Sequence, residues 1–591
     1  MQELMKYWSE SLVFDEDTRK EISDLIKADN QKELSDRFYR DLEFGTGGLR
    51  GILGAGSARM NFYNVRKASH ALALQVKESF PEIKAAKIAL TYDSRKFSRE
   101  FAVAASEVFA AHGIIALITK ELRPVPMLSF LVRDQSCQAG VCITASHNPP
   151  NYNGYKVYWN TGGQITPPVD KKIIDKYLSI RRYEDIPLMS FEKALASGLA
   201  VEVGTELDDK YFEKVKTLSL NPDLGRKGFK IAYTPLHGTG AYPVRRALEC
   251  FGFEHIHIVP EQEKPDGSFP TVKSPNPEDS EALKMAVALA RKVEADIVLA
   301  TDPDADRIGI AVREHGDYLF LNGNQIGCLL TDYFLGSLKA HGKLPPNALV
   351  IKTIVTTEME RKIAESYNVA CEETLTGFKW ICGLIEEYES GQRKPYKKYV
   401  CGGEESFGFL ADSFVRDKDG VSSCAIAAEM VAYYKAKGKS ISQVLNELYR
   451  KHGVYQESLH TITLPGKDGA ERITKMMREL REHPPRQLDG VAVEILRDYK
   501  LRQEMSLMGE SYKKTSDLTL PVSDVLQFNL KDGTRVSARP SGTEPKIKFY
   551  VSVCSPISAD ITEEKLESVK SQCLERTKRI EEIFVSIAES I

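Results

Sequence analysis

Gly140-Val-Cys-Ile-Thr-Ala-Ser146-His147-Asn148-Pro149-Pro150-Asn-Tyr-Asn153-Gly154-Tyr-Lys156 brings a strand end, a sharp turn and three reactive side-chain types together in one short stretch. Val141, Cys142 and Ile143 read as the end of a buried strand. Asn148-Pro149-Pro150 and Asn153-Gly154 are turn signals. Ser146 is therefore expected on a tight loop at the end of a strand, beside His147, with Lys156 on the far side. In open α/β sheets ligands bind at such strand ends. Taken alone, the same residues also suit an ordinary loop with a capping serine.

Working outward, the chain repeats a strand-turn-helix unit. Lys87-Ile-Ala-Leu-Thr91 precedes a helix over Ser98 to His112 that stops at Gly113. Lys230-Ile-Ala-Tyr-Thr234 precedes the Gly238-Thr239-Gly240 turn and a helix over about Tyr242 to Phe251 that stops at Gly252. Leu349 to Val355 opens a third unit. Glycine after a helix is a C-cap signal, and alternating strands and helices imply sheets covered on both faces. Three tandem α/β domains are expected, with mixed, mostly parallel sheets. After about residue 456 polar helical stretches surround a strand pair, so the last domain reads as a smaller α+β domain. The expected limits are 1–206, 207–322, 323–456 and 457–591. Residues 1 to about 40 read as helical, and a final helix runs from about Glu563.

Composition excludes several classes. The chain has 591 residues, too many for one core, with 42% hydrophobic residues and a formal net charge of −3 (80 basic against 83 acidic). That balance gives no polyanion-binding surface, so nucleic acid is not an expected partner. No apolar run reaches the roughly 18 residues that span a bilayer, and the first residues lack a signal-peptide core, so neither a membrane nor export is expected. The ten cysteines include no Cys-x-x-Cys and read as reduced core residues of a cytoplasmic protein.

Other loops carry chemistry. Gly45-Thr46-Gly47-Gly48-Leu49-Arg50-Gly51 sets one guanidinium among backbone N–H groups that can approach an anion. It is neither a Walker loop nor a dinucleotide fingerprint. Asp302-Pro-Asp304-Ala-Asp306-Arg307 lies between two apolar strands. Its alternating carboxylates are expected on one side of an extended loop, where like charges call for a cation. Hard oxygen donors select Mg²⁺, Mn²⁺ or Ca²⁺. An EF-hand is excluded, because Arg307 and Arg313 stand where its glycine and last glutamate belong. Thr376, Gly377 and Lys379 can hold a phosphate or a sugar hydroxyl, or can simply start a helix. In Gly403-Glu404-Glu405-Ser406-Phe407-Gly408 the carboxylates are acceptors for sugar hydroxyls. Adjacent residues are poorly placed to flank a glycosidic bond. Arg539, Ser541, Gly542 and Thr543 form a phosphate nest.

The loops Thr144-Ala-Ser146-His147-Asn148-Pro149, Asp302 to Arg307, Gly403 to Gly408 and Arg539-Pro-Ser541-Gly542-Thr543 resemble, in order, the four signature loops of the α-D-phosphohexomutases, the phosphoglucomutase/phosphomannomutase family. The resemblance spans nearly the whole chain. The Gly-Thr-Gly-Gly-Leu-Arg opening is most similar to the bacterial phosphoglucomutase branch related to animal phosphopentomutase and glucose-1,6-bisphosphate synthase. It implies four domains around a central cleft and interconversion of glucose 1-phosphate and glucose 6-phosphate. Mannose and pentose phosphates are the alternative substrates; Ser406 leans toward glucose.

The resemblance also implies site roles. Ser146 carries the phosphate, and one Mg²⁺ per subunit sits on Ser146, Asp302, Asp304 and Asp306. Arg307 offsets phosphoryl charge. Lys156, His147 and Arg50 flank the transfer, and Lys156 as a base would need a lowered pKa. Glu404, Ser406, Thr376, Gly377 and Lys379 grip the sugar, while Arg539, Ser541, Gly542 and Thr543 hold the other phosphate. Glucose 1,6-bisphosphate is the implied intermediate and activator. A serine hydrolase is disfavoured because no Gly-x-Ser-x-Gly surrounds Ser146. A phosphatase with an aspartate nucleophile and a non-catalytic sugar-phosphate binder remain alternatives. Oligomeric state is not legible.

Overall fold

The computed structural model describes residues 1–42, 44–45, 48–464, 466–508, 512–541 and 546–590. Its contacts divide the chain into two compact units. The first comprises Met1–Asn322, Phe378–Cys401 and Ser406–Ala436; the second comprises Gly323–Gly377, Gly402–Glu405 and Lys437–Ile591.

In the first unit a seven-stranded sheet runs in the order Phe44–Gly45, Gly48–Ile52, Tyr152–Trp159, Ala139–Ile143, Lys87–Tyr92, Ile115–Thr119, Ala200–Val203. The last four strands are parallel, and the others pair antiparallel. Helices Ser98–Ala111 and Val125–Asp134 make the crossovers. Period-2 geometry explains the continuous apolar runs. Ile88, Leu90, Val141 and Ile143 enter one core, while Ala89, Leu117 and Cys142 enter the core on the opposite face.

Three helices, Gln2–Glu10, Glu16–Lys27 and Gln31–Phe38, precede this sheet. Asp15 and Asn30 cap the second and third by accepting from Thr18 N and Glu33 N. Their apolar sides bury Met5, Trp8, Phe14, Ile22, Leu34 and Phe38 against Tyr63 and Tyr183.

A five-stranded sheet follows in the order Asp317–Leu321, Ile308–Glu314, Ile297–Thr301, Lys230–Thr234, His255–Ile258. The first two pairings are antiparallel and the last two parallel. Helix Ala241–Cys250 follows the second expected strand.

In the second unit Ala348–Thr353 and Ala370–Thr374 pair in parallel around helix Glu358–Ser366. Its C-terminal part corrects the expectation of a lone strand pair, because eight antiparallel strands form one sheet. Lys513–Asp517 is exposed at every position, so no apolar face announces it and cross-strand pairing alone makes it a strand. Helix Glu563–Glu589 covers the sheet, with the Phe584 ring 5.3 Å from both Phe528 and Phe549. Among the described residues no helix is long and apolar enough to cross a membrane.

Candidate active site

Ser146 follows strand Ala139–Ile143, is 3% exposed, and has φ +51°. A left-handed conformation is costly for a residue with a Cβ, so its surroundings must hold it. The Ser146 amide donates to Thr144 Oγ1 at 2.8 Å, and that hydroxyl donates to Asp304 Oδ2 at 3.1 Å. The Ser146 hydroxyl donates to Asp302 Oδ2 at 2.6 Å and lies 3.2 Å from His147 Nδ1. Burial, then Arg307 and Arg50, hold the His147 pKa well down, so the imidazole is neutral.

Asp302, Asp304 and Asp306 occupy a tight turn rather than the expected extended loop. Ala305 N donates to Asp302 O at 2.9 Å, and Ala305 has φ +48°. The turn, not strand alternation, makes the carboxylates converge. One oxygen from each lies within 4.8 Å of the others, and all three residues are buried. Asp302 Oδ1 accepts from the amides of Asp306 and Arg307 at 3.2 Å each. Asp304 Oδ1 and Asp306 Oδ1 are buried without a hydrogen-bond partner. Buried anionic oxygens left unpaired are costly, and three hard oxygen donors fit a divalent cation such as Mg²⁺.

Cations surround this cluster. Lys156 Nζ lies 2.7 Å from Asp304 Oδ2 and 3.3 Å from Asp306 Oδ2, and Lys418 Nζ lies 3.2 Å from Asp306 Oδ2. Burial disfavours the Lys156 charge, yet Asp304 and Asp306 prevail and push its pKa up. Lys156 is thus held as an ammonium, the opposite of the lowered pKa a base requires. Burial, Asp304 and Asp306 push the Asp302 carboxyl well up. At Asp306 burial acts in the same sense, but Lys418, Lys156 and Arg307 overcome it and hold the carboxyl low. Arg307 pairs with Glu278. Arg50 pairs in register with Gly154, two residues before Lys156, and donates to Asn148 Oδ1 at 3.1 Å.

Lys379 also belongs to the first unit. It is buried, with Asp170 at 4.0 Å, and burial lowers its pKa. Ser406 is half-buried, and the next residue, Phe407, accepts from Ile308 N at 3.0 Å.

The other expected sugar and phosphate ligands lie in the second unit. Gly377 has φ +119°, and its amide donates to Glu404 Oε1 at 2.7 Å. Thr376 Oγ1 is buried without a hydrogen-bond partner. Glu405 Oε2 accepts from Thr353 at 3.2 Å and Thr356 at 3.1 Å. Arg539 is the last residue but one of strand Arg535–Pro540, and Ser541 N donates to Lys546 O at 2.8 Å. Gly542 and Thr543 lie outside the described residues.

Reading the sequence did not single out Lys418, Thr144, Glu278 or Arg95. The available signals were the charged run Arg416-Asp417-Lys418-Asp419 and the charges of Asp93-Ser94-Arg95 just past a strand.

Known proteins match the chain domain by domain. Residues 41–184, 209–316 and 322–452 match the phosphoglucomutase/phosphomannomutase alpha/beta/alpha domains I, II and III, and 479–566 match the C-terminal domain. A phosphoglucomutase of Staphylococcus epidermidis is 33% identical over 90% of this chain and 94% of its own. One of Staphylococcus aureus is 34% identical over the same shares. Among solved structures, parafusin (a phosphoglucomutase) of Paramecium in its open form shares the fold, with TM-score 0.63 and 18% identity over 92% of this chain and 96% of its own. A Burkholderia thailandensis family member gives TM-score 0.61 and 17% identity over 90% and 97%. With all four domains matched in order and a third of the residues identical to relatives of nearly the same length, the chain belongs to the phosphoglucomutase/phosphomannomutase family.

Proposed function

We propose that the chain is a phosphoglucomutase, interconverting glucose 1-phosphate and glucose 6-phosphate through phosphorylated Ser146 and glucose 1,6-bisphosphate. The observation that carries this reading is the Ser146 hydroxyl, 2.6 Å from Asp302 in a cluster of three buried carboxylates, two of which keep an oxygen without a hydrogen-bond partner. Asp302, Asp304, Asp306 and a phosphoserine oxygen would hold one Mg²⁺. When bound, the ion supplies charge neutralisation for the phosphoryl group.

The chain's own residues do the rest. In the forward step the bond between Ser146 Oγ and phosphorus breaks, and a bond from a sugar hydroxyl oxygen to phosphorus forms. The hydroxyl proton ends on Ser146 Oγ. Neutral His147, 3.2 Å from that oxygen, can relay it through Nδ1. Lys156 and Arg307 serve as cations facing the phosphoryl oxygens. Lys418, already against Asp306, adds a third. The bisphosphate then turns over and returns its other phosphate to Ser146. Glu404, Ser406, Thr376, Gly377 and Lys379 bind sugar, and Arg539, Ser541, Gly542 and Thr543 bind the phosphate that does not react.

We retain the four ranges 1–206, 207–322, 323–456 and 457–591 as the functional domains. Ten free cysteines suit a reducing, cytoplasmic setting. Relative turnover on glucose 1-phosphate, mannose 1-phosphate and ribose 1-phosphate with Mg²⁺ tests the substrate. Glucose 1-phosphate is expected to be fastest; faster turnover of either competitor contradicts the assignment.

A further inference from the structure

Arg95 touches none of the side chains assigned to chemistry, yet it binds the backbone of the loop that carries Ser146. It is 3% exposed. Nη2 donates to Ser146 O at 2.6 Å and to Asn148 O. Nη1 donates to Pro149 O at 2.7 Å and Tyr152 O at 3.0 Å. One planar fork thus satisfies four carbonyls of a single turn, a geometry open to arginine and not to lysine.

The guanidinium is itself fixed from two sides. Asp93 Oδ2 forms an ion pair with Nε at 3.3 Å, without a hydrogen bond, and Asp93 is itself held by Arg95 N at 2.9 Å and Ser98 Oγ at 2.7 Å, both donating to Oδ1. The Phe269 ring stacks 4.9 Å from Cζ. Gly267, in the same segment as Phe269, comes so close that a Cβ there would lie 2.6 Å from Arg95 Cα. Ser146 at φ +51° needs such support. Other contacts to the turn each reach a single group: Ser146 N donates to Thr144 Oγ1 at 2.8 Å, Ser274 Oγ to His147 O at 3.1 Å, Leu53 N to Asn151 O at 2.9 Å, Asn148 N to Ala145 O at 3.1 Å and Tyr152 N to Pro149 O at 3.1 Å.

We propose that Arg95 is a positioning residue for phosphoryl transfer: its fork on the carbonyls of Ser146, Asn148, Pro149 and Tyr152 holds Ser146 in its left-handed conformation with Oγ against Asp302. The inference rests on the assignment of Ser146 as the phosphate carrier. Loss of the fork lets the turn relax and moves Oγ, leaving the sugar-binding residues in place. The predicted defect is therefore in kcat and not in KM.

The test compares full-length wild type, Arg95→Ala and Arg95→Lys, with circular dichroism as a fold control. In Arg95→Ala, kcat on glucose 1-phosphate should fall about 100-fold, the usual cost of misplacing a reacting group by about 1 Å. KM should stay within about twofold of wild type. Millimolar guanidinium should restore turnover at least about tenfold, because the vacated space is lined by four carbonyls, Asp93 and Phe269; ammonium at equal concentration should not. Folded Arg95→Ala with wild-type kcat, a loss confined to KM, or a loss that guanidinium does not rescue would each overturn the proposal. If Arg95→Ala does not fold, Arg95→Lys decides: about tenfold lower kcat supports the proposal and wild-type kcat overturns it. A wild type that neither turns over glucose 1-phosphate nor holds phosphate on Ser146 would overturn the functional reading, and this inference with it.

Discussion

Each compact unit buries a cluster of carboxylates and cations, and the two clusters end in opposite states. In the second unit Lys352 is fully buried, 2.7 Å from Glu358 and 2.9 Å from Glu373, and donates to Thr356 O at 3.0 Å. Arg535 reaches Glu358 at 3.0 Å and Glu373 at 3.4 Å; Arg361 reaches them at 3.1 Å and 3.4 Å. None of these five side chains keeps a buried atom without a hydrogen-bond partner. Burial opposes ionisation of Glu358 and Glu373, but Lys352 and Arg535 hold both carboxyls low. The cluster is closed. In the first unit Asp304 Oδ1 and Asp306 Oδ1 have no hydrogen-bond partner, the Asp302 carboxyl is pushed up, and Ser146 is strained. Burial and charge alone do not mark a functional site; unmet bonding capacity beside a strained nucleophile does.

The largest expected effect is at the open cluster. Ser146→Ala should lower turnover by about 10⁴-fold or more, with an unchanged melting temperature. A variant retaining a tenth of wild-type turnover would remove the nucleophile from the account. Next comes Asp304→Asn. Turnover should fall about 10²–10³-fold. In chelator the variant should melt no lower than wild type, because like-charge repulsion is relieved. Lys352→Met inverts that pattern by leaving two buried carboxylates without their lysine. Urea unfolding should show a loss of about 3–5 kcal/mol, while turnover per folded molecule drops far less than in Asp304→Asn. Equal stability losses in the two variants would erase the distinction between open and closed clusters.

The smallest effect sets the background for an uncharged pair. His70 Nδ1 and His112 Nε2 lie 2.7 Å apart. Burial, then His70 and Lys77, push the His112 pKa down from the ordinary 6.5 to about 4. The unfolded chain therefore binds the extra proton between those values. This contribution to stability is present above pH 6.5 and is lost as pH falls toward 4, by about 2 kcal/mol after allowance for partial exposure. Thermal melts across that window should show it, and His112→Asn should flatten the slope. A parallel slope in the variant would refute the assignment.

What could be read from the sequence was short-range. Ile88, Ala89 and Leu90 are apolar toward both faces, so the α/β units were visible as continuous runs. Ser146 beside His147, and the carboxylates of Asp302, Asp304 and Asp306, announced chemistry by residue type. Long-range partners were not visible. Lys418 meets Asp306, and Arg95 meets the Ser146 turn, only after folding. The shape of the Asp302–Asp306 turn was misjudged because alternation suggests an extended chain, whereas Ala305 turns it. Lys513–Asp517 has no apolar face to betray a strand.

The most direct test is peptide mass spectrometry of the purified protein before and after glucose 1,6-bisphosphate, then after glucose 1-phosphate with Mg²⁺. The account predicts one phosphate on Ser146, replenished by the bisphosphate and exchanged during turnover. Turnover of glucose 1-phosphate with no phosphate on Ser146 under any of these conditions, or with phosphate on an aspartate instead, would contradict it.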